Sequence, residues 1–479
     1  MKRTLFAQPL PKRFFIGIAL ILLSANFLSA QTLTFRIVNY NIEDDTDGNT
    51  TPLPGLIAPY NNSVDVGEGG VLEGIGEEIV NGDPAQPIDI LALEETTSNP
   101  TTVQPIVTGL NTFYSNYNYL YSTPAGYAMS PYQATQSGGN TSGNGPNALV
   151  YNTNTLQLLA SVGIATPTGS GNGMYRQCVR YEFAPAGVTA GTNNEFYVYV
   201  SHYKASSGQT DDNDRLGEAR IIRNDESTNC PPYARVLYVG DYNPDDNSIE
   251  AGYQTICSNC APDGIYQGQG IDPLNIQWSP TSNTSAATNI NWSVSTMSTN
   301  ILFMLSEEGY DLRYRDDLQV MTSNMYYQVA GGLTYVPGTY HSFGNNGKIA
   351  WGGSVGSGSG LNLDTAKANV TGLTASMVGT DLTDASDHLP IVADYTISLS
   401  TQPLPMPVIS SVSLNGNNLS LNVANTITNA VYTVLASPSL TSGWTPVATN
   451  VSPGSSFSVT LTNAFNNTTP QQFYLLETP

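Results

Sequence analysis

The chain is marked out by short runs of β-branched and aromatic residues, several of them apolar toward both faces. Leu33 to Ile42 (LTFRIVNYNI), Ile88 to Leu93 (IDILAL), Phe196 to Ser201 (FYVYVS) and Val236 to Gly240 (VLYVG) are the clearest. Successive side chains of a strand point to opposite faces, so such runs read as strands covered on both sides. Asn147 to Tyr151, Leu156 to Val162, Leu318 to Thr322 and Leu389 to Thr396 complete the expected set. Helical spacing lies between them. Val71 to Val80 puts Leu72, Ile75, Ile79 and Val80 near one face, and Asp212 to Asp225 spaces Leu216, Ala219 and Ile222 by threes behind an acidic start. Thr296 to Glu308 is the third expected helix. Strands and helices mixed in this way predict layers of helix over sheet.

At 479 residues the chain is long enough for two domains or one large one. Only 11% of residues are charged, while Gly, Asn, Ser, Thr and Tyr are common, a composition that suits a β-rich exported protein. A net charge of -22 argues against a broad basic footprint for nucleic acid, though not against a local cationic cleft. Residues 1–30 read as a secretory signal peptide: Lys2, Arg3, Lys12 and Arg13 precede the apolar run Phe14 to Leu23, and Leu28-Ser29-Ala30 offers a cleavage site before Gln31. The run is short for a membrane span, and no later stretch is apolar enough to cross a bilayer. The expected location is therefore secreted, periplasmic or on the cell surface. Removing four basic and no acidic residues with the signal takes the formal charge from -22 to -26.

Cys178, Cys230, Cys257 and Cys260 allow two disulfides after export, in any of three connectivities. Cys257 and Cys260 have the spacing of half a zinc knuckle, which the other two lack. Residues 399–407 read as a proline-rich linker. Beyond it, residues 408–479 carry the short alternating runs Ile409 to Leu414, Leu419 to Val423, Val431 to Leu435, Phe457 to Leu461 and Phe473 to Leu476. These predict a small all-β accessory sandwich, with Trp444 as a residue that could meet a glycan or a cell surface if it is not in the core.

Polar residues flank the apolar runs of the first 398 residues. Asn41, Glu94-Glu95, His202, Asp241 and Asn243 follow a run, whereas Asp317, Asp387 and His388 precede one. A purely parallel sheet would put these two sets at opposite edges; a mixed sheet can bring them to one. If they meet, Asn41, Glu95 and Asp387 are oxygen donors for a hard cation such as Mg²⁺ or Mn²⁺. His388, held by Asp317, can move a proton, Asp241 can orient a water, and Asn243 can donate to a phosphoryl oxygen. That is a constellation for in-line attack on a phosphate ester. Each residue alone reads equally well as a turn, cap or surface group.

The ordered pieces Arg36-Ile37-Val38-Asn39-Tyr40-Asn41-Ile42, Asp89 to Glu95, Val200-Ser201-His202-Tyr203-Lys204, Gly240-Asp241-Tyr242-Asn243, Arg315 to Val320 and Ser386-Asp387-His388-Leu389-Pro390 carry a resemblance. Over residues 31–398 the chain resembles the endonuclease/exonuclease/phosphatase superfamily of deoxyribonuclease-like, metal-dependent phosphoesterases. The resemblance implies an α+β fold, a four-layer α/β-sandwich of two mixed, mainly antiparallel sheets flanked by helices. It implies that Asn41 and Glu95 hold a divalent metal, Mg²⁺ first and Mn²⁺ or Ca²⁺ otherwise, with Asp387 on or near it. His202 would contact the scissile phosphate, Asp241 the nucleophilic water and Asn243 a phosphoryl oxygen. His388 would act as acid/base or phosphate stabiliser, oriented by Asp317. Lys204 and Arg215 are weaker phosphate-binding candidates. The chain departs from the family where Glu94 stands in place of a common Gln, and Asn247 to Ser295 reads as an insertion. The expected activity is an extracellular nuclease; the alternatives are a phosphatase or sphingomyelinase-like diesterase of the same fold, or a surface-binding protein without turnover.

Overall fold

A computed structural model gives the architecture. It describes residues 31–43, 56, 70–139, 145–168, 173–191, 194–206, 208–244, 250–257, 268–274, 315–329, 331–345, 354–399, 407–426, 431–437, 445–464 and 473–477. The first strands are β1 (Gln31–Asn41), β2 (Ile90–Glu94), β3 (Tyr127–Met129), β4 (Ala148–Asn152), β5 (Leu156–Gly163), β6 (Val179–Pro185) and β7 (Phe196–His202). They are followed by β8 (Arg235–Asp241), β9 (Gly270–Ile271), β10 (Asp317–Thr322), β11 (Leu333–Tyr335), β12 (His341–Ser342) and β13 (Ile391–Leu399). The helices that matter here are α1 (Val71–Glu77), α2 (Gln104–Tyr117), α3 (Gln209–Asn229), α4 (Ala251–Cys257) and α5 (Ala375–Ala385).

Two sheets face each other. One is seven-stranded, in the order β11-β13-β1-β2-β4-β3 with β12 also on β13; the other is six-stranded, in the order β5-β6-β7-β8-β10-β9. Alternation along the central strands explains the runs seen in the sequence. On β1, Phe35 and Ile37 enter the core between the sheets, while Val38 and Tyr40 enter the core under α1, α2 and α5. On β7, Phe196, Val198 and Val200 face the other sheet, while Tyr197 and Tyr199 pack under α3. Helix, sheet, sheet and helix thus stack in four layers. Each fully buried large apolar side chain contributes about 1.5–3 kcal/mol.

Buried polar groups tie the layers at fixed points. Arg36 is fully buried and grips Asp394 of β13 at 2.9 and 3.1 Å, and its remaining donors reach the carbonyls of Ile75 and Glu78. Those carbonyls lie in the last turn of α1 and at its C-cap Glu78, whose N–H also donates to the Ile75 carbonyl at 3.3 Å. Gln319 of β10 donates to the carbonyls of Ile37 and Ile391 in the opposite sheet and accepts from the Tyr395 hydroxyl.

The expected strands are all present, with ends shifted by a few residues. Missing from the expectation were β3, β6, β9, β11 and β12, and the helices α2, α4 and α5. β9, β11 and β12 are two or three residues long and take their pairing from neighbours. The helix expected over Thr296 to Glu308, the signal peptide, Cys260 and Trp444 lie outside the described residues. The disulfide expectation is corrected: Cys178, Cys230 and Cys257 are free thiols. Cys178 and Cys230 are packed in the apolar core under α3, where burial pushes both thiols up.

The C-terminal strands are β14 (Val408–Asn415), β15 (Asn418–Ala424), β16 (Val431–Ser437), β17 (Thr445–Val451), β18 (Ser456–Leu461) and β19 (Phe473–Glu477). They form two antiparallel three-stranded sheets, β14-β15-β18 and β17-β16-β19. Leu419, Leu421, Val423, Phe457, Val459 and Leu461 alternate into a common core that also takes Val329.

Candidate active site

Strand direction assembles the site. β1 and β2 run parallel and end together at Asn41 and Glu94. β7 and β8 run parallel and end together at His202 and Asp241. β13 runs against β1 and β10 against β8, so His388 and Asp317 begin where the others stop. The mixed sheet required by the sequence argument is the one observed.

Local backbone then aims the side chains. Glu95 has φ 57° and Asn243 φ 44°, left-handed conformations that turn the chain sharply after β2 and β8. Asn41 donates its amide to Glu95 Oε1 at 3.0 Å and to Asp241 Oδ2 at 3.2 Å. His202 Nε2 lies 3.4 Å from Asp241 Oδ2 and 3.8 Å from Glu95 Oε1. The Asn243 N–H donates to Asp241 Oδ1 at 2.8 Å, and its side-chain amide reaches the Tyr203 carbonyl. Across from these, His388 Nδ1 lies 2.7 Å from Asp317 Oδ2, and its Nε2 lies 3.6 Å from Asp387 Oδ1. Ser386 fixes that loop by donating to the Asn41 carbonyl and accepting from the His388 N–H.

Burial sets the charges. Glu95 is pushed up to about 7 by burial, against the Asn41 hydrogen bond and the charges of His388 and Arg176. Asp241 is pushed up to about 6 by burial, which His388 opposes and Asp317 reinforces. For His388 burial favours the neutral ring, but the charges of Asp317, Asp387 and Asp241 outweigh it and hold the pKa well above the usual histidine value. His202 is driven the other way by burial, with Arg176 and His388 adding to it. Burial therefore favours the neutral His202 ring, although its Nε2 lies at ion-pair distance from both carboxylates. Two imidazoles in one pocket with opposite charge states divide the roles of cation and neutral donor or ligand.

The donor set fits a divalent cation. Ligand atoms of Glu95, His202 and Asp241 lie within 4.8 Å of one another. Asn41 adds an amide that already bridges two of the three. A second group, Asp241, Asp317 and His388, has the same compactness, but its imidazole is taken up by Asp317, whose charge favours the protonated ring. Oxygen-rich ligation with one imidazole suits Mg²⁺, Mn²⁺ or Ca²⁺. Asp387 stands on the His388 side of the pocket and is about a third exposed; Asp241 is the carboxylate that shares Asn41 and His202 with Glu95.

Lys204 and Arg215 are engaged by the protein. Lys204 pairs with Asp211 at 3.1 Å and lies over the Tyr175 ring. Arg215 is buried, paired with Asp212 and Glu250, and donates to the carbonyls of Lys204 and Ser206. Besides His388, a cation whose field reaches the site is Arg176, which no pattern in the sequence singles out. It is buried, donates to the Tyr203 carbonyl at 2.8 Å, and its charge acts on Glu95, Asp241 and His202. Glu218 of α3 was also passed over. It accepts from the N–H groups of Tyr175 and Lys204, and so holds the Arg176 segment against the end of β7. Arg176 precedes β6, a strand the sequence had not disclosed, so no local signal marked it.

No family model and no curated protein matches the chain. Among solved structures it is similar to the human Nocturnin catalytic domain with bound sulfate anion, at 16% identity over 76% of this chain and 97% of that one, TM-score 0.38. It is similar to an endonuclease/exonuclease/phosphatase family protein from Bacteroides thetaiotaomicron, at 10% identity over 78% and 98%, TM-score 0.37. D. rerio TDP2 complexed with single strand DNA product matches at 13% identity over 76% and 98%, TM-score 0.37. What the site can do is decided by its own side chains, not by these likenesses.

Proposed function

We propose that this chain, which is built on the plan of the endonuclease/exonuclease/phosphatase superfamily, is a divalent-metal-dependent hydrolase of phosphoric esters. One observation carries the reading. A hydrogen-bonded His388–Asp317 pair from one side of the pocket faces Asn41, Glu95, His202 and Asp241 from the other, within a single buried cluster.

Asn41, Glu95 and Asp241, with His202, would hold the metal. When bound, it supplies Lewis-acid neutralisation of charge on a phosphoryl oxygen. The remaining work falls to the chain. His388 presents a cationic N–H from Nε2 to an oxygen of the ester, while Asp317 holds Nδ1 and keeps the ring charged and oriented. Asp241 accepts a hydrogen bond from the attacking water and draws its proton as the new P–O bond forms, while the P–O bond to the leaving oxygen breaks and that oxygen takes the proton from His388 Nε2. The Asn243 amide, which gives one N–H to the Tyr203 carbonyl, would give its other to a non-bridging oxygen, and the Arg176 guanidinium lowers the cost of charge building up at phosphorus. Proton transfer by such a positioned group contributes roughly 10²–10⁴-fold.

The charge balance favours a diester. A diester carries one negative charge at phosphorus and a monoester close to two. The pocket offers one imidazolium and one guanidinium against the carboxyl groups of Glu94, Glu95, Asp241, Asp317 and Asp387. Within that class we take the substrate to be extracellular nucleic acid, on the strength of the export signal read at residues 1–30. Hydrolysis of bis-p-nitrophenyl phosphate, DNA, RNA and sphingomyelin by the purified chain, with Mg²⁺, Mn²⁺, Ca²⁺ or EDTA, tests both levels. Equal turnover in EDTA, or full activity in His388→Ala, would sink the mechanism. Cleavage of sphingomyelin but not nucleic acid would keep the mechanism and replace the substrate.

A further inference from the structure

A second cleft lies along the edge of the seven-stranded sheet where β11 and β12 pair with β13. Its volume is about 710 Å³, inside the roughly 300–1,000 Å³ typical of small-molecule sites. None of the described residues lining it takes part in the chemistry above. Val451 of β17 also lines it, so the C-terminal sheets share in building it.

Part of the lining is a tyrosine cluster. The Tyr335 hydroxyl accepts from the N–H groups of Gly338 and Tyr340 at 3.1 and 3.3 Å, which fixes its ring. Tyr326 lies parallel to Tyr335 with 6.3 Å between ring centroids, and Tyr327 meets Tyr326 edge-on at 5.2 Å. Tyr335 is buried, whereas Tyr327 is 39% exposed, so the cluster reaches solvent. Amides supply the polar part. Asn81 donates to the Pro337 carbonyl at 3.3 Å and Asn362 to the Ile79 carbonyl at 2.7 Å. Each bond orients an amide through one N–H, and a side-chain amide carries a second N–H and an oxygen acceptor besides.

Charge narrows the ligand. Among the described lining residues, Glu78 and His341 carry charge, and they are closed on each other. His341 Nε2 lies 3.0 Å from both Glu78 oxygens, and its Nδ1 lies 2.7 Å from the Thr339 carbonyl oxygen. Burial favours the neutral ring, but Glu78 outweighs it and holds the His341 pKa above the usual histidine value. A charged ligand would have to part that pair. An acyl chain would cover the Asn81 and Asn362 amides without giving them partners, which is unfavourable. A pyranose ring has the matching surface: a face of C–H groups for an aromatic ring, and a rim of hydroxyls that donate and accept.

We propose that this cleft binds a neutral oligosaccharide, with Tyr326 and Tyr327 against a sugar face and Asn81 and Asn362 on its hydroxyls. The site is separate from phosphoester hydrolysis and stands or falls independently of it.

The test is saturation-transfer NMR and calorimetric titration of the full chain with cellotriose, maltotriose, mannotriose and chitotriose, for wild type, Tyr327→Ala and Tyr327→Phe. Wild type is expected to bind at least one of them. Tyr327→Ala should weaken that binding about 3- to 10-fold, and Tyr327→Phe, which keeps the ring, should retain it. Hydrolysis of bis-p-nitrophenyl phosphate should be unchanged in both variants. Should Tyr327→Ala fail to fold, Asn362→Ala, at an exposed position, decides in the same way. Absence of binding by all four sugars overturns the proposal. So does binding that Tyr327→Ala and Asn362→Ala leave at full strength, which would locate the sugar elsewhere on the chain. Binding of choline or laurate in place of every sugar assigns the cleft to another chemistry and overturns it too.

Discussion

Asp317 Oδ2 stands 2.7 Å from His388 Nδ1, and the two residues come from different sheets. Asp317 opens β10 and His388 lies just before β13, so the pair joins the two sheets at the edge that carries the candidate site. Asp317 is fully buried and holds the imidazole charged despite its own burial. Asp317→Asn removes that charge and lowers the His388 pKa. A reaction needing the protonated ring then loses its alkaline side first. The expected result is a kcat reduced roughly 10²–10⁴-fold, with the alkaline limb of the pH–rate profile moved to lower pH. A profile unmoved on that side would deny the pair this role.

Glu95→Gln should cost activity and metal together. Glu95 is held by Asn41 at 3.0 Å and lies 3.8 Å from His202, so the change leaves the pocket's shape while removing a ligand charge. Activity should fall in step with Mn²⁺ occupancy and recover in part at high Mn²⁺. EDTA should inactivate wild type and lower its Tm, because a ligand at 100 times its Kd stabilises by about 2.7 kcal/mol. A Tm indifferent to EDTA would contradict this.

Arg176→Ala should lower kcat/KM by about 10²–10³-fold, the loss typical of removing one donor from a charge-stabilising site. Arg176→Lys should recover part of it, as a point charge without the fork that reaches the Tyr203 carbonyl. Kinetics on a neutral-leaving-group diester provide the measurement. A fully active alanine variant would reduce Arg176 to a prop for the Tyr203 loop.

Stability should fall as pH rises from about 4 to 7. Burial pushes Asp89 up to about 7, against its hydrogen bonds from Thr155 and the Arg36 N–H, and pushes Glu218 up to about 7 likewise. Both lie above their unfolded values, so the folded state binds more protons across that window. The stability they contribute is complete below the unfolded pKa and lost as pH approaches 7, by up to about 1.4 kcal/mol per pH unit for each group. Asp89→Asn should flatten the slope in urea unfolding series at pH 5 and pH 7.5. An equal slope in the variant would show that other groups set it.

The local words of this protein were legible in its residues alone. β1, β2, β7 and β8 could be read because strand preference and two-sided apolarity are properties of neighbouring side chains. Asn41, Glu95, His202, Asp241 and His388 could be listed because each follows or precedes such a run. Their meeting was conditional on strand direction, which no run reveals, since pairing is decided by packing between residues hundreds of positions apart. Arg176 and Glu218 could not be found at all: one lies in an unpatterned loop, the other looks like any acidic residue on a helix. Only the folded chain sets them beside the site, and only it shows that Glu94, a carboxylate in plain view in the sequence, is fully buried with no hydrogen bond to either oxygen. Chemistry is carried by residue type, which is local; charge state and partnership depend on burial and proximity, which belong to the tertiary structure.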